Sequence, residues 1–316
     1  MGVDELISGV LARDRRAIAR AISQVEDASP DLEPLSAGIY ERTGMAVTIG
    51  LTGAPGVGKS TIATGMVAAA RARDLRAAVL AIDPTSPYTG GALLGDRVRM
   101  QEHATDTGVF IRSMATRGHL GGMALATPEA VRILDAAGYD RIVVETVGVG
   151  QAEVDVAAAT DTAVVVMAPG MGDAVQIAKA GILEVADVFV VNKADRDGAN
   201  EVVRELRQML HLGAAREWDP PVLTTTASQA EGLEPVWEAI EDHRIHLESS
   251  GALYEKRRAR LVEEVESLAA ARFRADVAER LREMPQLLRD LEGRRIDPYR
   301  AAAMLAAGTD ASAPLA

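Results

Sequence analysis

The feature that most constrains this chain is a glycine-rich loop between a predicted strand and a predicted helix. Residues 53–60 read GAPGVGKS and fit the pattern G-x-x-x-x-G-K-[ST]. Glycines let a backbone wrap closely around phosphates with its N–H groups pointing inward, and the following helix presents the positive end of its dipole to the anion. Lys59 is expected at the β- and γ-phosphates, and the Ser60 hydroxyl is expected to bind Mg²⁺. The predicted nucleotide contacts in this loop are Gly53, Ala54, Pro55, Gly56, Val57, Gly58, Lys59, Ser60 and Thr61.

Short apolar runs alternate with helical patterns from about residue 46 to residue 247. Several runs are continuously apolar, which is typical of strands covered by helices on both faces. The alternation predicts an α/β domain with a mostly parallel sheet, and the glycine-rich loop makes it a P-loop NTPase domain. The predicted strands are Ala46–Leu51, Ala77–Ile82, Val109–Ser113, Arg141–Glu145, Thr162–Met167, Val188–Asn192 and Val222–Thr225.

Helical patterns flank this domain on both sides. Residues 4–38 have helical apolar spacing with one break at Ser29-Pro30, which predicts two helices. After Gly251 the pattern is purely helical, with a break at Pro285. We therefore expect an N-terminal helical extension (1–45), the P-loop domain (46–248) and a C-terminal helical arm (249–316). The arm is too small for a robust core of its own, so it should pack on the α/β domain or on another subunit.

Charge and composition exclude several classes of protein. The chain has 34 Lys and Arg against 46 Asp and Glu, and this net charge of −12 argues against a nucleic-acid partner. It contains no cysteine, which excludes disulfides and thiolate metal sites. No run approaches the ~18 apolar residues of a membrane helix, and the N-terminus does not resemble a secretory signal, so we expect a cytoplasmic protein with no membrane partner. The basic run Lys256–Arg260 lies among glutamates, which favours a solvated helix face.

A second motif, Asn192-Lys193-Ala194-Asp195, ends another predicted strand. The carboxyl ends of parallel strands meet at one edge of a sheet, so we expect this motif beside the phosphate loop. N-K-x-D is the pattern by which GTPases read guanine: the Asp carboxylate accepts hydrogen bonds from the ring N–H and the exocyclic amine, while the lysine stem covers the base. After the last strand, Thr226-Ala227-Ser228 fits the loop that closes over the guanine carbonyl, although the same residues also form ordinary turns or helix caps.

The stretch VVETVGVGQ (residues 143–151) provides the third motif. It does not continue as a dinucleotide-binding turn, because Glu153 occupies the position of the third glycine in G-x-G-x-x-G. Where many GTPases carry D-x-x-G, this chain has an acid for Mg²⁺, Glu145, and a glycine for the γ-phosphate, Gly148. Two further acids are expected near the metal: Asp83, which ends a predicted strand, and Asp96, which lies in the long loop that follows. Asp96 fits a helix cap equally well. The predicted metal ligands are Ser60, Asp83, Asp96 and Glu145.

Together these motifs resemble the MeaB/ArgK type of GTPase, the methylmalonyl-CoA mutase-associated G-protein chaperones. The resemblance covers about residues 45–244 and runs through GAPGVGKST, AIDPTSPYTGGALLGDRVRM, ETVGVGQAE, PGMGDAVQIAKAGILEVAD, VNKAD and EDHR. It implies a Mg²⁺-dependent GTPase that docks on a cobalamin-dependent acyl-CoA mutase. Such a protein gates delivery of adenosylcobalamin and protects the mutase from inactivation. The resemblance also implies a homodimer formed through the C-terminal arm.

The resemblance further implies which residues act in hydrolysis. Asp173 and Lys179 fall on a third switch that responds to the partner, and Lys179 is expected to supply positive charge to the transferring phosphoryl group. A solvated helix lysine is an equally good interpretation of Lys179. Gln151 lies three residues after the γ-phosphate glycine, so no water-positioning glutamine is evident. We therefore expect slow intrinsic hydrolysis that a partner accelerates. The implied catalytic residues are Lys59, Glu145 and Lys179.

Two other functions remain open from the residues. Nickel-delivery GTPases also carry Glu in the third motif, but metal insertion needs Cys or His ligands. This chain has no Cys and five His, of which His243 and His246 are interpreted as a pair on a helix surface. An ATP-dependent kinase linked to arginine or ornithine transport is the second alternative, and the NKAD motif opposes it because nothing there matches adenine.

Overall fold

The computed structural model describes residues 2–84, 105–116, 122–146, 152–170, 182–213 and 216–307, and a seven-stranded sheet lies at its centre. Its strands are β1 Val47–Thr52, β2 Ala77–Pro84, β3 Val109–Thr116, β4 Arg141–Thr146, β5 Thr162–Met167, β6 Val188–Asn192 and β7 Val222–Thr225. All pairings are parallel, in the order β3-β2-β4-β1-β5-β6-β7. The predicted P-loop α/β fold is confirmed. The predicted bounds of β5, β6 and β7 match the structure, and those of β1 to β4 differ from it by one to three residues.

Helices cover both faces of the sheet, as the continuously apolar strands require. Strands β1, β5 and β6 are buried along their whole length. The helices are α1 Val3–Leu11, α2 Arg15–Glu26, α3 Leu32–Ile39, α4 Lys59–Arg71, α5 Gly122–Ala136, α6 Ala152–Ala159, α7 Ile182–Val185, α8 Ala199–Leu212, α9 Leu233–Ser250, α10 Ala252–Glu283, α11 Pro285–Glu292 and α12 Pro298–Ala307.

Among the described residues, three apolar clusters lie between the sheet and its helices, and the smallest packs α8 on β5, β6 and β7 around Phe189 and Leu206. The two larger clusters lie on opposite faces of the sheet. On one face, α4 and α9 bury residues such as Met66 and Trp237 against β1, β4 and β5. On the other face, the N-terminal helices bury Leu6, Ile18 and Leu35 together with α5. The N-terminal helical residues therefore contribute directly to the core that supports the sheet.

The N-terminal segment contains one helix more than the apolar spacing predicts. The break at Ser29-Pro30 is present, but a second break separates α1 from α2. Arg13 there adopts a left-handed backbone with φ of 66°. The Asp14 carboxylate then accepts hydrogen bonds of 2.8 Å from the N–H groups of Arg16 and Ala17, which caps the start of α2. The prediction of two helices was wrong because this capping signal was missed.

The chain divides into two compact units, Met1–Leu261 and Val262–Ala316. The long helix α10 begins in the first unit and continues into the second. In the second unit, Leu287, Ala301 and Leu305 form a small buried cluster. The predicted break at Pro285 is the first residue of α11, where proline is favoured because the missing N–H has no helical partner in any case. Within the described part of the chain, no helix has the length and apolarity needed to cross a membrane.

The prediction of a solvated face for the basic run Lys256–Arg260 was wrong. Three of its cations bond to groups elsewhere in the first unit. Lys256 and Arg260 donate to backbone carbonyls at 2.7 and 2.8 Å, and Arg257 donates to the carboxylate of Asp161 at 2.7 Å. That carboxylate is 2% exposed, and a buried charge requires partners of opposite sign. Only Arg258 of the run behaves as expected, since it is exposed and pairs with Glu255.

Candidate functional site

The glycine-rich loop joins the middle strand β1 to helix α4, which begins at Lys59. Gly53 and Gly58 have φ of 133° and 103°, a backbone conformation that side chains rarely tolerate. A Cβ at Gly53 would lie 2.1 Å from the Val166 carbonyl oxygen, and one at Gly58 would lie 2.2 Å from the Asn192 amide nitrogen. Val57 is fully buried and anchors the loop in the core. This cradle-shaped loop therefore requires glycine at positions 53 and 58.

Lys59, the first residue of α4, is 6% exposed and points back into the loop. Its ammonium donates hydrogen bonds of 2.6 and 3.1 Å to the carbonyl oxygens of Gly53 and Ala54. These bonds hold a positive charge inside the cradle, at the N-terminal end of a thirteen-residue helix. A compact cation and a helix N-terminus directed at one concave loop form an arrangement that attracts a phosphate group.

Ser60, at the start of α4, contacts Glu145 on β4. The Ser60 hydroxyl donates a hydrogen bond of 2.5 Å to Glu145 Oε1, and both residues are buried. The sheet register explains this contact, because Leu51 pairs with Glu145 directly beside the start of the loop. A hydroxyl and a carboxylate are both oxygen ligands of the kind that Mg²⁺ prefers, so the chemistry of the pair fits this cation.

Asp83 is described only through its backbone, which lies near the carboxyl end of β2. Ala81 pairs with Glu145 in the sheet, and Asp83 lies two residues further along the same strand. The predicted site residues Asp96, Gly148, Asp173 and Lys179 lie outside the described residues, as does Gln151. The described ranges contain no group of three or more His, Cys, Asp or Glu residues that could hold a metal.

Asn192 ends β6 and connects the phosphate loop with the loop after β7. Its amide nitrogen donates a 2.8 Å hydrogen bond to the Val57 carbonyl oxygen. Its amide oxygen accepts hydrogen bonds from the Thr225 hydroxyl at 3.0 Å and the Ala227 N–H at 3.1 Å. The side chain is 3% exposed. Asn192 therefore holds two loops together with its own amide, a role that its position in the motif alone does not reveal.

The next residues of the motif lie at the protein surface. Lys193 has a left-handed backbone with φ of 58°, and its ammonium donates a 2.6 Å hydrogen bond to the Gly56 carbonyl oxygen of the phosphate loop. Its side chain consequently extends across the gap between the two motifs. The Asp195 carboxylate is exposed. The aliphatic stem of Lys193 can cover the face of a flat base. The exposed Asp195 carboxylate can accept hydrogen bonds from the edge of the same base.

The loop after β7 completes this edge of the sheet. Thr226 and Ala227 are buried, while Ser228 is exposed. The Ala194 N–H donates a 3.0 Å hydrogen bond to the Thr225 carbonyl oxygen, and the Thr226 and Glu231 backbones pair with each other. The structure thus brings three sequence motifs, from β1, β6 and β7, to one place.

His243 does not lie on a helix surface, so that prediction was wrong. It is 2% exposed; its Nδ1 is 2.9 Å from the Thr162 hydroxyl and its Nε2 is 3.3 Å from Asp187 Oδ1. Burial lowers the pKa of His243 to about 4, although the Asp187 carboxylate opposes this shift. Its neighbour His246 is half-buried, and its ring contacts that of Trp218 in a tilted arrangement. Both ring nitrogens of His243 thus face protein groups, an environment that does not suit a metal ligand.

The chain is similar in sequence and in fold to several known proteins. A family model described as methylmalonyl Co-A mutase-associated GTPase MeaB matches residues 18–282. A relative in Pyrococcus abyssi with GTPase in its name is 48% identical, over 96% of this chain and 95% of its own length. The GTPase ArgK of Escherichia coli is 38% identical, over 79% of this chain and 78% of its own. A crystal structure of an LAO/AO transport system kinase covers 96% of both chains with a TM-score of 0.70 and 28% identity.

Proposed function

The chain belongs to the MeaB family of methylmalonyl-CoA mutase-associated GTPases and hydrolyses GTP, and from this premise we propose that GTP binds across the edge formed by β1, β6 and β7. The observation that carries the proposal is the Asn192 side chain, which holds the phosphate loop and the loop after β7 in one unit. The phosphates would bind the loop of residues 53–61 and the N-terminus of α4. The base would lie against Lys193, with Thr226, Ala227 and Ser228 on its far side.

Asp195 is the proposed reader of guanine. Its exposed carboxylate can accept hydrogen bonds from the ring N–H and the exocyclic amine, which adenine does not offer together. Replacing it by Asn removes two charge-assisted hydrogen bonds, so Asp195→Asn should weaken GDP binding by about a hundredfold and favour xanthine nucleotides. Asp197→Asn, at an exposed residue of the same turn, is the matched control. Unchanged GDP affinity in Asp195→Asn would refute this role.

Hydrolysis is proposed to depend on Lys59, Ser60 and Glu145. Lys59 neutralises charge on the β- and γ-phosphates, and Ser60 and Glu145 supply two of the oxygen ligands for Mg²⁺, with Asp83 and Asp96 as further acids. Bound Mg²⁺ would stabilise negative charge on the transferring phosphoryl group. Gly148 is proposed to sense the γ-phosphate and Lys179 to add charge there. Glu145→Gln should keep GDP binding and raise the Mg²⁺ concentration needed for half-maximal hydrolysis; an unchanged Mg²⁺ dependence argues against Glu145 as a ligand.

The proposed partner is a cobalamin-dependent acyl-CoA mutase of the methylmalonyl-CoA type. Support comes from the description of the family and from a mouse relative, 35% identical, named as a methylmalonic aciduria type A homolog. In this role the protein is a cytoplasmic chaperone that uses GTP hydrolysis to gate adenosylcobalamin loading and to protect the mutase from inactivation. The test is single-turnover GTP hydrolysis with and without the mutase from the same cell. Acceleration supports the role, and identical rates contradict it.

We also propose that the chain consists of an N-terminal extension (1–45), the P-loop domain (46–248) and a C-terminal arm (249–316), and that the arm forms a homodimer. Tyr254, Leu261 and Leu268 are exposed on α10 at seven-residue intervals, a spacing typical of helices that pair with another helix. Leu268→Glu should convert the dimer to a monomer in light scattering. Leu288→Glu, at an exposed leucine of α11, is the control. A monomeric wild-type protein would overturn this proposal.

A further inference from the structure

Asp161, between α6 and β5, is bonded by three cationic side chains of α10. Its carboxylate accepts hydrogen bonds from Arg257 at 2.7 Å and from Arg260, and its backbone carbonyl accepts one from Lys256 at 2.7 Å. Burial alone would raise the pKa of the Asp161 carboxyl, but the Arg257 hydrogen bond and the charges of Arg260 and Arg257 hold that pKa at about 2. The carboxylate is therefore charged at neutral pH and fixes the first turns of α10 to this junction.

The same junction is joined to the strand that carries the phosphate loop. The Asp161 N–H donates to the Thr48 hydroxyl at 2.8 Å, and the Thr48 N–H donates to the Asp161 carboxylate at 3.1 Å. At Gly50, two residues further along β1, an added Cβ would lie 2.5 Å from the Thr160 hydroxyl oxygen. The same Cβ would lie 3.0 Å from Val156 Cγ1, so α6 packs closely against β1 three residues before the loop begins.

The C-terminal end of α6 is held by α10 as well. Arg260 donates a 2.8 Å hydrogen bond to the carbonyl oxygen of Ala159, the last residue of α6. The last carbonyls of a helix lack helical partners and carry partial negative charge, so a guanidinium there is favourable. Arg260 also bonds the Asp161 carboxylate. One side chain of α10 thus contacts both the end of α6 and the residue that joins α6 to β5.

Strand β1, which the junction contacts through Thr48, pairs with the strand that carries Glu145, because Leu51 lies opposite Glu145. The Glu145 carboxylate in turn accepts the hydrogen bond of the Ser60 hydroxyl. We propose that Arg260 and Asp161 are positioning residues of the GTPase: by fixing the C-terminal end of α6 and the residues after it on α10, they hold β1 and β4 in the arrangement that places Glu145 beside Ser60. This inference rests on the proposed function, which assigns Glu145 to hydrolysis. It makes the rate of hydrolysis depend on contacts made by α10.

Kinetic constants distinguish a positioning role of Arg260 and Asp161 from a role in stability alone. The phosphate loop and the base-reading motif are held by Asn192, which does not contact the junction. Loosening α6 should consequently lower kcat and leave the KM for GTP and the affinity for GDP unchanged. An anchor with a purely structural role would lower the melting temperature of the protein without changing kcat at temperatures where the protein is folded.

The test is the variant Arg260→Gln in the full chain, with Arg258→Gln as the matched control. Arg258 lies on the same helix but is exposed and pairs only with Glu255 among the described contacts. We expect Arg260→Gln to lower kcat about fivefold or more with an unchanged KM, and to increase hydrogen exchange in peptides that cover α6. Arg260→Lys should restore part of kcat, because an ammonium can still bond to Ala159 or Asp161. Arg258→Gln should match wild type in all three measurements.

Two outcomes would overturn the proposal: a lowered melting temperature with unchanged kcat in Arg260→Gln, or unchanged hydrogen exchange in α6. Asp161→Asn is the second variant and should lower kcat in the same direction, since it retains the shape but loses the charge that binds both arginines. Failure of the proposed function gives a different result. In that case the wild type and Arg258→Gln would themselves fail to show hydrolysis that depends on Lys59, as measured against Lys59→Ala.

Discussion

Replacement of Asn192 by Ala is the perturbation that most directly probes the architecture of the site. The variant removes three hydrogen bonds: one to the Val57 carbonyl, one from the Thr225 hydroxyl and one from the Ala227 N–H. Each is worth about 1 kcal/mol, so the loss in the free energy of unfolding should be about 3 kcal/mol. Because both loops lose their common support, the affinity for GDP should fall by about tenfold or more.

The assay is urea unfolding with and without GDP, combined with titration of a fluorescent GDP analogue. Asn200→Ala is the control, because Asn200 is exposed on α8 and alanine there should change stability by a few tenths of a kcal/mol at most. A free energy of unfolding within about 0.5 kcal/mol of wild type, together with unchanged GDP affinity, would refute the reasoning.

Three further predictions follow from single residues. Gly58→Ala should abolish GDP binding and destabilise the protein by more than about 2 kcal/mol, because the new Cβ meets Asn192. Gly170→Ala, with positive φ but no described atom within 4 Å of the new Cβ, should cost only about 1 kcal/mol in the same unfolding assay. The pKa of His243 is lowered to about 4, so the stability that neutral His243 allows is complete above pH 6.5 and is lost as the pH falls from 6.5 to 4. The loss in the free energy of unfolding is on the order of 3 kcal/mol. His243→Gln should flatten this part of the pH–stability curve, and an unchanged slope would contradict the assignment. The pKa of Asp161 is about 2, so the contribution of its carboxylate to stability should persist to lower pH and disappear only between pH 3.8 and 2. In Asp161→Asn, the fall in stability between these two pH values should be absent.

The sheet and the loops at its edge could be predicted because their signals are local. Continuously apolar runs separated by helical patterns fix the strands, and glycine at positions 53 and 58 is needed by the backbone itself. The capping signal of Asp14 was also local and could have revealed the break between α1 and α2.

The contacts that the sequence did not reveal join residues far apart in the chain. Asn192 reaches Val57 across 135 positions, and Arg257 reaches Asp161 across 96. The basic run Lys256–Arg260 would have the same local pattern whether its side chains faced water or a buried carboxylate. Three of its side chains are partly buried because Asp161, which is distant in sequence, needs cationic partners. His243 likewise becomes buried because α9 packs on the sheet, and its spacing from His246 does not indicate this.

The measurement that tests the central claim most directly is calorimetric titration of the wild-type protein with GDP and with ADP, each in the presence of Mg²⁺. A single site assembled from the phosphate loop, the NKAD motif and the loop after β7 predicts one GDP bound per chain and an affinity for ADP weaker by at least about a hundredfold. Equal affinity for the two nucleotides, or a preference for ADP, would contradict it.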